Sequence, residues 1–195
     1  MTAAERLPLV SVEDYLAAEL ASEVRHEYVG GYVHAMAGGK TAHNRVKGNV
    51  FASLHKRLQG KPCEPFDSDM KVRFYSAGLP RFYYPDAMVV CEPNDPDSVY
   101  QDRPAVAVEV LSESTRRLDE LEKRDGYLTI PSLQAYLLVE PDAAKITVYR
   151  RRTEGLGVEA FDAELYTGLD AVVPLSEIEV ELPLAEVYER VELPA

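Results

Sequence analysis

Between His43 and Leu58 the apolar residues Val46, Val50, Leu54 and Leu58 recur every four positions, which predicts a helix burying one stripe. Ser11, with Glu13 and Asp14 just behind it, predicts an N-cap opening an earlier helix that runs to about Ala21. Glu27 to Val29 and Tyr32 to Met36 flank Gly30-Gly31 and read as a hairpin with a glycine turn. Met70 to Tyr75 and Phe82 to Val90 read as strands on either side of a turn at Gly78-Leu79-Pro80. A polar loop rich in Pro, Asp and Asn then leads to Pro104. Ala105 to Leu111 is continuously apolar except at Glu109, the pattern of a central strand covered on both faces. A helix is expected from Asp119 to Leu128, closed by Pro131, followed by strands at Ala135–Val139 and Ile146–Arg150. Weaker strand patterns follow at 158–165 and 171–173, and a last amphipathic turn lies near 184–191. Strands interleaved with helices give an α/β chain.

The chain has 195 residues, which predicts one domain over 1–195 with its core at about 12–188. Apolar residues make up 46% and charged residues 28%, an ordinary globular balance that excludes extensive disorder. No stretch approaches the ~18 consecutive apolar residues of a membrane span. The first eight residues lack a basic region followed by an apolar core, so no signal peptide is read and a cytoplasmic location is expected. On that expectation Cys63 and Cys91 are two buried thiols. The net charge is −12, but eleven acids and one base, Arg190, fall in 154–195. No acid lies between Gly30 and Cys63, where Lys40, Arg45, Lys47, Lys56, Arg57 and Lys61 cluster. Such a run is either the solvated face of a helix or a surface for a polyanion.

Two carboxylates stand in apolar surroundings. Asp86 follows Pro85 at the head of Ala87-Met88-Val89-Val90, and Glu109 interrupts the central strand. A charge inside a buried strand needs a cation or hydrogen-bond donors to compensate it. For Glu109 the alternatives are a buried salt bridge or an edge strand facing solvent. Asp86 could simply cap the strand entry. Carboxylates on adjacent strands can also share a hard divalent cation through oxygen ligands. Strand alternation puts Glu109 on the face of Ala107 and Leu111. Helical spacing puts Asp119, Lys123 and Tyr127 on one stripe, so Lys123 can point toward the same place.

Tyr84-Pro85-Asp86 followed by an apolar strand, and then Val108-Glu109-Val110-Leu111-Ser112-Glu113-Ser114-Thr115, resembles the signature of the Uma-two family. These are restriction-endonuclease-like proteins of the PD-(D/E)xK superfamily. The resemblance continues through Arg116-Arg117-Leu118-Asp119, Lys123, Tyr127 and Ile130–Val139, and reaches back to Glu27–Gly31 and His43. It covers the chain from about Val12 to Tyr188. It implies a restriction-endonuclease-like α/β fold, a central mixed sheet flanked by helices with an N-terminal helix and hairpin and a C-terminal strand extension.

The resemblance also implies function. Asp86, Glu109 and the backbone carbonyl of Val110 would hold Mg²⁺ or Mn²⁺ for hydrolysis of DNA phosphodiester bonds. The superfamily's usual Lys two residues after the Glu is here Leu111, and Lys123 would supply the amine from the following helix. The ordinary alternative for Lys123 is a surface pair with Asp119. Glu27 would approach the metal through water, or else pair with Arg25 on an exposed strand. His43 would meet a phosphate oxygen, or else cap or pack its helix. Relatives of this fold pair up to meet two strands, so a homodimer is expected by analogy. The departure at Leu111 motivates a second reading, in which a nuclease fold has lost its chemistry and acts as a nucleic-acid-binding module or interaction protein.

Overall fold

The computed structural model describes residues 9–36, 38–112, 116, 118–152 and 157–193. Glu113-Ser114-Thr115, Arg117 and Glu154 lie outside the described residues, as does the side chain of Asp119. In chain order the elements are α1 (Val12–Ala21), β1 (His26–Val29), β2 (Tyr32–Ala35), α2 (Thr41–Leu58) and β3 (Glu64–Asp67). Next come β4 (Lys71–Ser76), β5 (Leu79–Tyr83), β6 (Ala87–Val90), β7 (Tyr100–Gln101) and β8 (Pro104–Val110). A π-helix at Leu118–Lys123 passes directly into α3 (Arg124–Tyr127). β9 (Ala135–Val139), β10 (Lys145–Arg151), β11 (Phe161–Thr167), β12 (Val172–Leu175), β13 (Val180–Pro183) and α4 (Leu184–Val187) complete the chain.

The strands form a six-stranded sheet in the order β11-β10-β9-β8-β6-β3, a five-stranded sheet β2-β1-β5-β4-β7, and the pair β12-β13. In the six-stranded sheet β8 and β9 run parallel, and the other pairs are antiparallel, so it is mixed. Its central strand β8 alternates faces as the sequence predicts. Val106, Val108 and Val110 pack against Val46, Val50, Leu54 and Leu58 of α2 and against Leu182, Leu184 and Val187 near the C-terminus. Ala107 and Leu111 turn the other way, toward Tyr127, Tyr136 and the five-stranded sheet's Val72, Phe74 and Tyr83. On the five-stranded sheet, Tyr15 of α1 packs against Tyr28 and Phe82. Ser11 caps α1 as expected, its side chain accepting from the Asp14 N–H. Gly30 and Gly31 take φ of +55° and +104° to turn the β1–β2 hairpin, a conformation that glycine reaches without a Cβ clash.

Four expectations are corrected. Phe82–Val90 is not one strand: β5 ends at Tyr83 in one sheet and β6 begins at Ala87 in the other. Pro85 offers no N–H to a ladder, so the chain crosses between the sheets at Tyr84-Pro85-Asp86. The helix expected from Asp119 to Leu128 begins instead as a π-helix over Leu118–Lys123, while Lys123 and Tyr127 of the expected stripe still face one group, Glu109. Cys63 and Cys91 are not separate thiols but a disulfide joining the chain before β3 to the chain after β6. The basic residues on and after α2 do not form one open surface. Arg57 grips Glu186 with two hydrogen bonds of 2.6 Å, while Arg45 and Lys61 donate to the carbonyls of Arg190 and Glu179. Half of the run therefore docks the acidic C-terminal segment, and short elements such as β3, β7 and β13 had no period long enough to read. No described helix is long and apolar enough to cross a membrane.

Candidate active site

Three elements deliver carboxylates to one place. β1 carries Glu27, the crossing segment carries Asp86, and β8 carries Glu109. Glu27 and Glu109 are buried, at 7% and 4% exposure, and so is Lys123, at 4%. The Lys123 ammonium lies 2.8 Å from Glu27 Oε1 and 3.3 Å from Glu109 Oε1. The Glu27 contact is a charge contact without the alignment of a hydrogen bond. The surface position expected for Lys123 and the exposed pair of Glu27 with Arg25 are both corrected, while the pairing with Asp119 falls on a side chain outside the described residues. Lys123 is inside, and Arg25 pairs with Asp69 instead.

The helix that ends in Lys123 also fixes Glu109. Tyr127, four residues on through α3, is fully buried and donates its hydroxyl to Glu109 Oε1 at 3.0 Å. Burial, then the neighbouring Glu109 charge, push the Tyr127 phenol well above its ordinary pKa, so it stays a donor. Its ring is stacked on Tyr136 at 5.0 Å, which holds the hydroxyl in place.

Asp86 is held from the other side of the sheet. Its Oδ2 accepts the Val110 N–H at 2.8 Å and lies 3.3 Å from His43 Nε2. Both contacts fall on Oδ2, so neither commits Oδ1. The hydrogen bond with Asp86 raises the His43 pKa, burial opposes it, and the Val110 backbone adds a smaller upward push. A Cβ at position 39 would stand 2.7 Å from His43 Nδ1, so any side chain there would require the imidazole to shift. A cavity of about 390 Å³ opens onto this centre, with His43, Tyr84, Asp86, Glu109, Val110 and Lys123 in its walls. All the residues expected at the site from sequence thus share one cavity or touch a residue that does.

Sequence reasoning missed the support behind Asp86. The Tyr84 hydroxyl accepts from Lys71 Nζ at 3.1 Å and donates to Glu19 Oε1 at 2.8 Å. Glu19 also accepts the His26 N–H at 2.8 Å, so α1 is tied to β1 and to the crossing segment. Lys71 is buried 5.0 Å from the Tyr84 ring centre, and its pKa is lowered by that burial. A Lys at the head of a strand was the signal available, but Glu19, which it reaches through the Tyr84 hydroxyl, lies on a helix far away in sequence.

Oxygen donors of the kind a hard dication takes border this cavity at Asp86, Glu109 and Val110. Glu27 and Glu109 face Lys123, and Asp86 faces His43, around a cavity whose walls also carry Arg25 and Lys47. No cluster of three His, Cys, Asp or Glu suited to a metal occurs among the described residues. Two carboxylates and a carbonyl suit Mg²⁺, which keeps several waters and completes its shell with substrate phosphate.

The chain matches the model of the Uma2 family, described as "Putative restriction endonuclease", over residues 12–184. An uncharacterized protein of Synechocystis sp., slr1290, is 34% identical over 149 residues, 76% of this chain and 77% of that one. A second, sll1609, is 30% identical over 146 residues, 73% of this chain and 81% of that one. A crystal structure from Anabaena variabilis, titled as that of "a putative nuclease belonging to DUF820", superposes with a TM-score of 0.73. It covers 94% of this chain and 99% of that one at 18% identity, and so speaks to the fold.

Proposed function

We propose a function from one premise: the chain belongs to the Uma2 family of restriction-endonuclease-like proteins. The reading is a divalent-metal endonuclease that hydrolyses phosphodiester bonds of DNA, the whole chain acting as one domain. The observation that carries it is the position of Lys123. Leu111, two residues after Glu109, is buried in the apolar core, yet an ammonium still arrives 3.3 Å from Glu109 Oε1 from the following helix.

Asp86, Glu109 and the Val110 carbonyl would hold Mg²⁺ or Mn²⁺. Bound there, the ion would lower the pKa of a water and polarise a phosphoryl oxygen. Lys123 orients the attacking water and offsets negative charge that grows on the phosphoryl group in the transition state. Glu27 holds Lys123, and Tyr127 fixes the Glu109 carboxylate, so both act as positioning residues. His43, beside Asp86 at the cavity wall, donates to a phosphate oxygen of the bound strand. A homodimer would present two such sites to the two strands of a duplex.

The test is cleavage of single-stranded, duplex and branched DNA with Mg²⁺ or Mn²⁺. Wild type is expected to nick or cut, and Asp86→Ala and Glu109→Ala to abolish cutting while remaining folded. Binding without cleavage under both metals would favour the second reading, a nuclease fold that has kept only its contact with nucleic acid.

A further inference from the structure

Beside the candidate active site lies a second recess of about 260 Å³ that the chemistry above does not use. Its walls are Arg25, Lys47, Gly48, Phe51, Asp67 and Asp69, and it meets the first cavity at Ser68 and Asp86. We propose that this recess receives one unstacked nucleobase of the strand being cut, next to the phosphate at the metal-binding carboxylates. The inference rests on the endonuclease reading and deepens it by naming the form of the substrate.

Three observations converge. First, Gly48 sits in the interior of the eighteen-residue helix α2, exposed, and a Cβ built on it meets nothing within 4 Å. Glycine weakens a helix at such a position, and no packing within the chain requires it. What a bare backbone offers is close approach by something flat from outside. Second, one turn on, Phe51 shows part of its ring in the same recess, stacked on His55 at 5.9 Å and 23°. An aromatic face at the end of a basic path is how single strands are gripped without sequence preference. Third, the charges are ordered. Lys47 and Arg25 stand in the walls of both cavities, where a backbone phosphate would pass. Lys47 is steadied by a 3.1 Å hydrogen bond to Ser68 Oγ.

The remaining wall carries Asp67 and Asp69. Carboxylates repel phosphate, so the recess is not a second phosphate site. Asp69 Oδ1 pairs with Arg25 and Asp67 Oδ1 accepts the Asp69 N–H, and each carboxylate has a second oxygen that can accept from exocyclic amino groups, which adenine, cytosine and guanine carry and thymine lacks. A base can occupy this recess only when it is out of a duplex stack, as at a single strand, a frayed end or a flipped nucleotide.

The test is fluorescence anisotropy with the full chain in EDTA, comparing a labelled oligodeoxycytidylate with an abasic strand of the same length. Both carry the same phosphates, and only one carries bases. Wild type is expected to bind the base-bearing strand roughly 5- to 150-fold more tightly, the range that base–aromatic stacking supplies. Phe51→Ala and Gly48→Leu are each expected to remove that preference and leave abasic-strand binding unchanged. Gly48→Leu should melt no lower than wild type, because leucine is the better helix former, so its loss of preference cannot be ascribed to unfolding. Equal binding of the two strands by wild type, or a preference that survives in both variants, overturns the base recess and leaves the endonuclease reading standing. Binding of neither strand, in EDTA and again with Ca²⁺ in its place, overturns the base recess, while the endonuclease reading is decided separately by the cleavage assay.

Discussion

Replacing Lys123 with Met keeps the length of the side chain and deletes its charge. In the native chain that ammonium lies 2.8 Å from Glu27 Oε1 and 3.3 Å from Glu109 Oε1, and all three groups are at least nine-tenths buried. Removing one partner of a buried charged set leaves the others uncompensated and costs about 3–5 kcal/mol. For a chain of this size that is a fall in melting temperature of roughly 6–20 °C. Urea unfolding of wild type and Lys123→Met measures it directly. Adding Glu27→Gln and Glu109→Gln to the Met variant should recover most of the loss, because neutral amides need no counter-charge. Mg²⁺ should stabilise Lys123→Met more than wild type, since the ion supplies the positive charge that is missing. A single-variant cost below about 1 kcal/mol, or no recovery in the triple variant, would refute the buried charge cluster.

Other outcomes follow from the same coordinates. Tyr127→Phe deletes a 3.0 Å hydrogen bond to a buried carboxylate and should cost about 1.5–3 kcal/mol in urea unfolding. Reducing the disulfide between Cys63 and Cys91, 28 residues apart, should lower stability by roughly 3–4 kcal/mol, seen by comparing unfolding with and without a thiol reductant. The Glu186 carboxylate is lowered to about 2, first by its hydrogen bond from Arg57 and next by that from Ser53. A depressed carboxylate stabilises the fold above its unfolded value near 4.5 and loses that contribution as pH falls toward 2. Glu186 is partly exposed, so the effect is modest, but Glu186→Gln should flatten the acid limb of a stability–pH profile.

Much of this was legible in short stretches. Glu109 in an otherwise apolar run marked both a central strand and a buried charge, because alternation along β8 is local information. The stripe Val46, Val50, Leu54 and Leu58 marked the buried face of α2 for the same reason. The family resemblance carried by Pro85-Asp86, Glu109-Val110 and Lys123 is what grouped these residues, and Asp86, Glu109, Val110 and Lys123 all line one cavity. What escaped depended on partners far apart in sequence. Nothing near Lys123 says that Glu27 lies across from it, and nothing near Tyr84 names Glu19 and Lys71 as its partners. The basic run on α2 read as a possible polyanion surface because the acidic segment that occupies half of it lies more than a hundred residues away. The break between β5 and β6 hid in a continuous apolar pattern, since Tyr84 is as buried as a strand residue although the chain there passes between sheets. The disulfide was missed because the expectation of a reducing compartment argued for separate thiols, whereas pairing is decided by where β3 and β6 lie side by side.

The central claim is that Asp86 and Glu109 form a pocket for a hard dication, and calorimetric titration with Mn²⁺ tests it before any substrate is chosen. Wild type should give a saturable isotherm that disappears in Asp86→Ala, with circular dichroism unchanged between the two. An absence of heat in wild type, or the same isotherm in both proteins, would contradict the account.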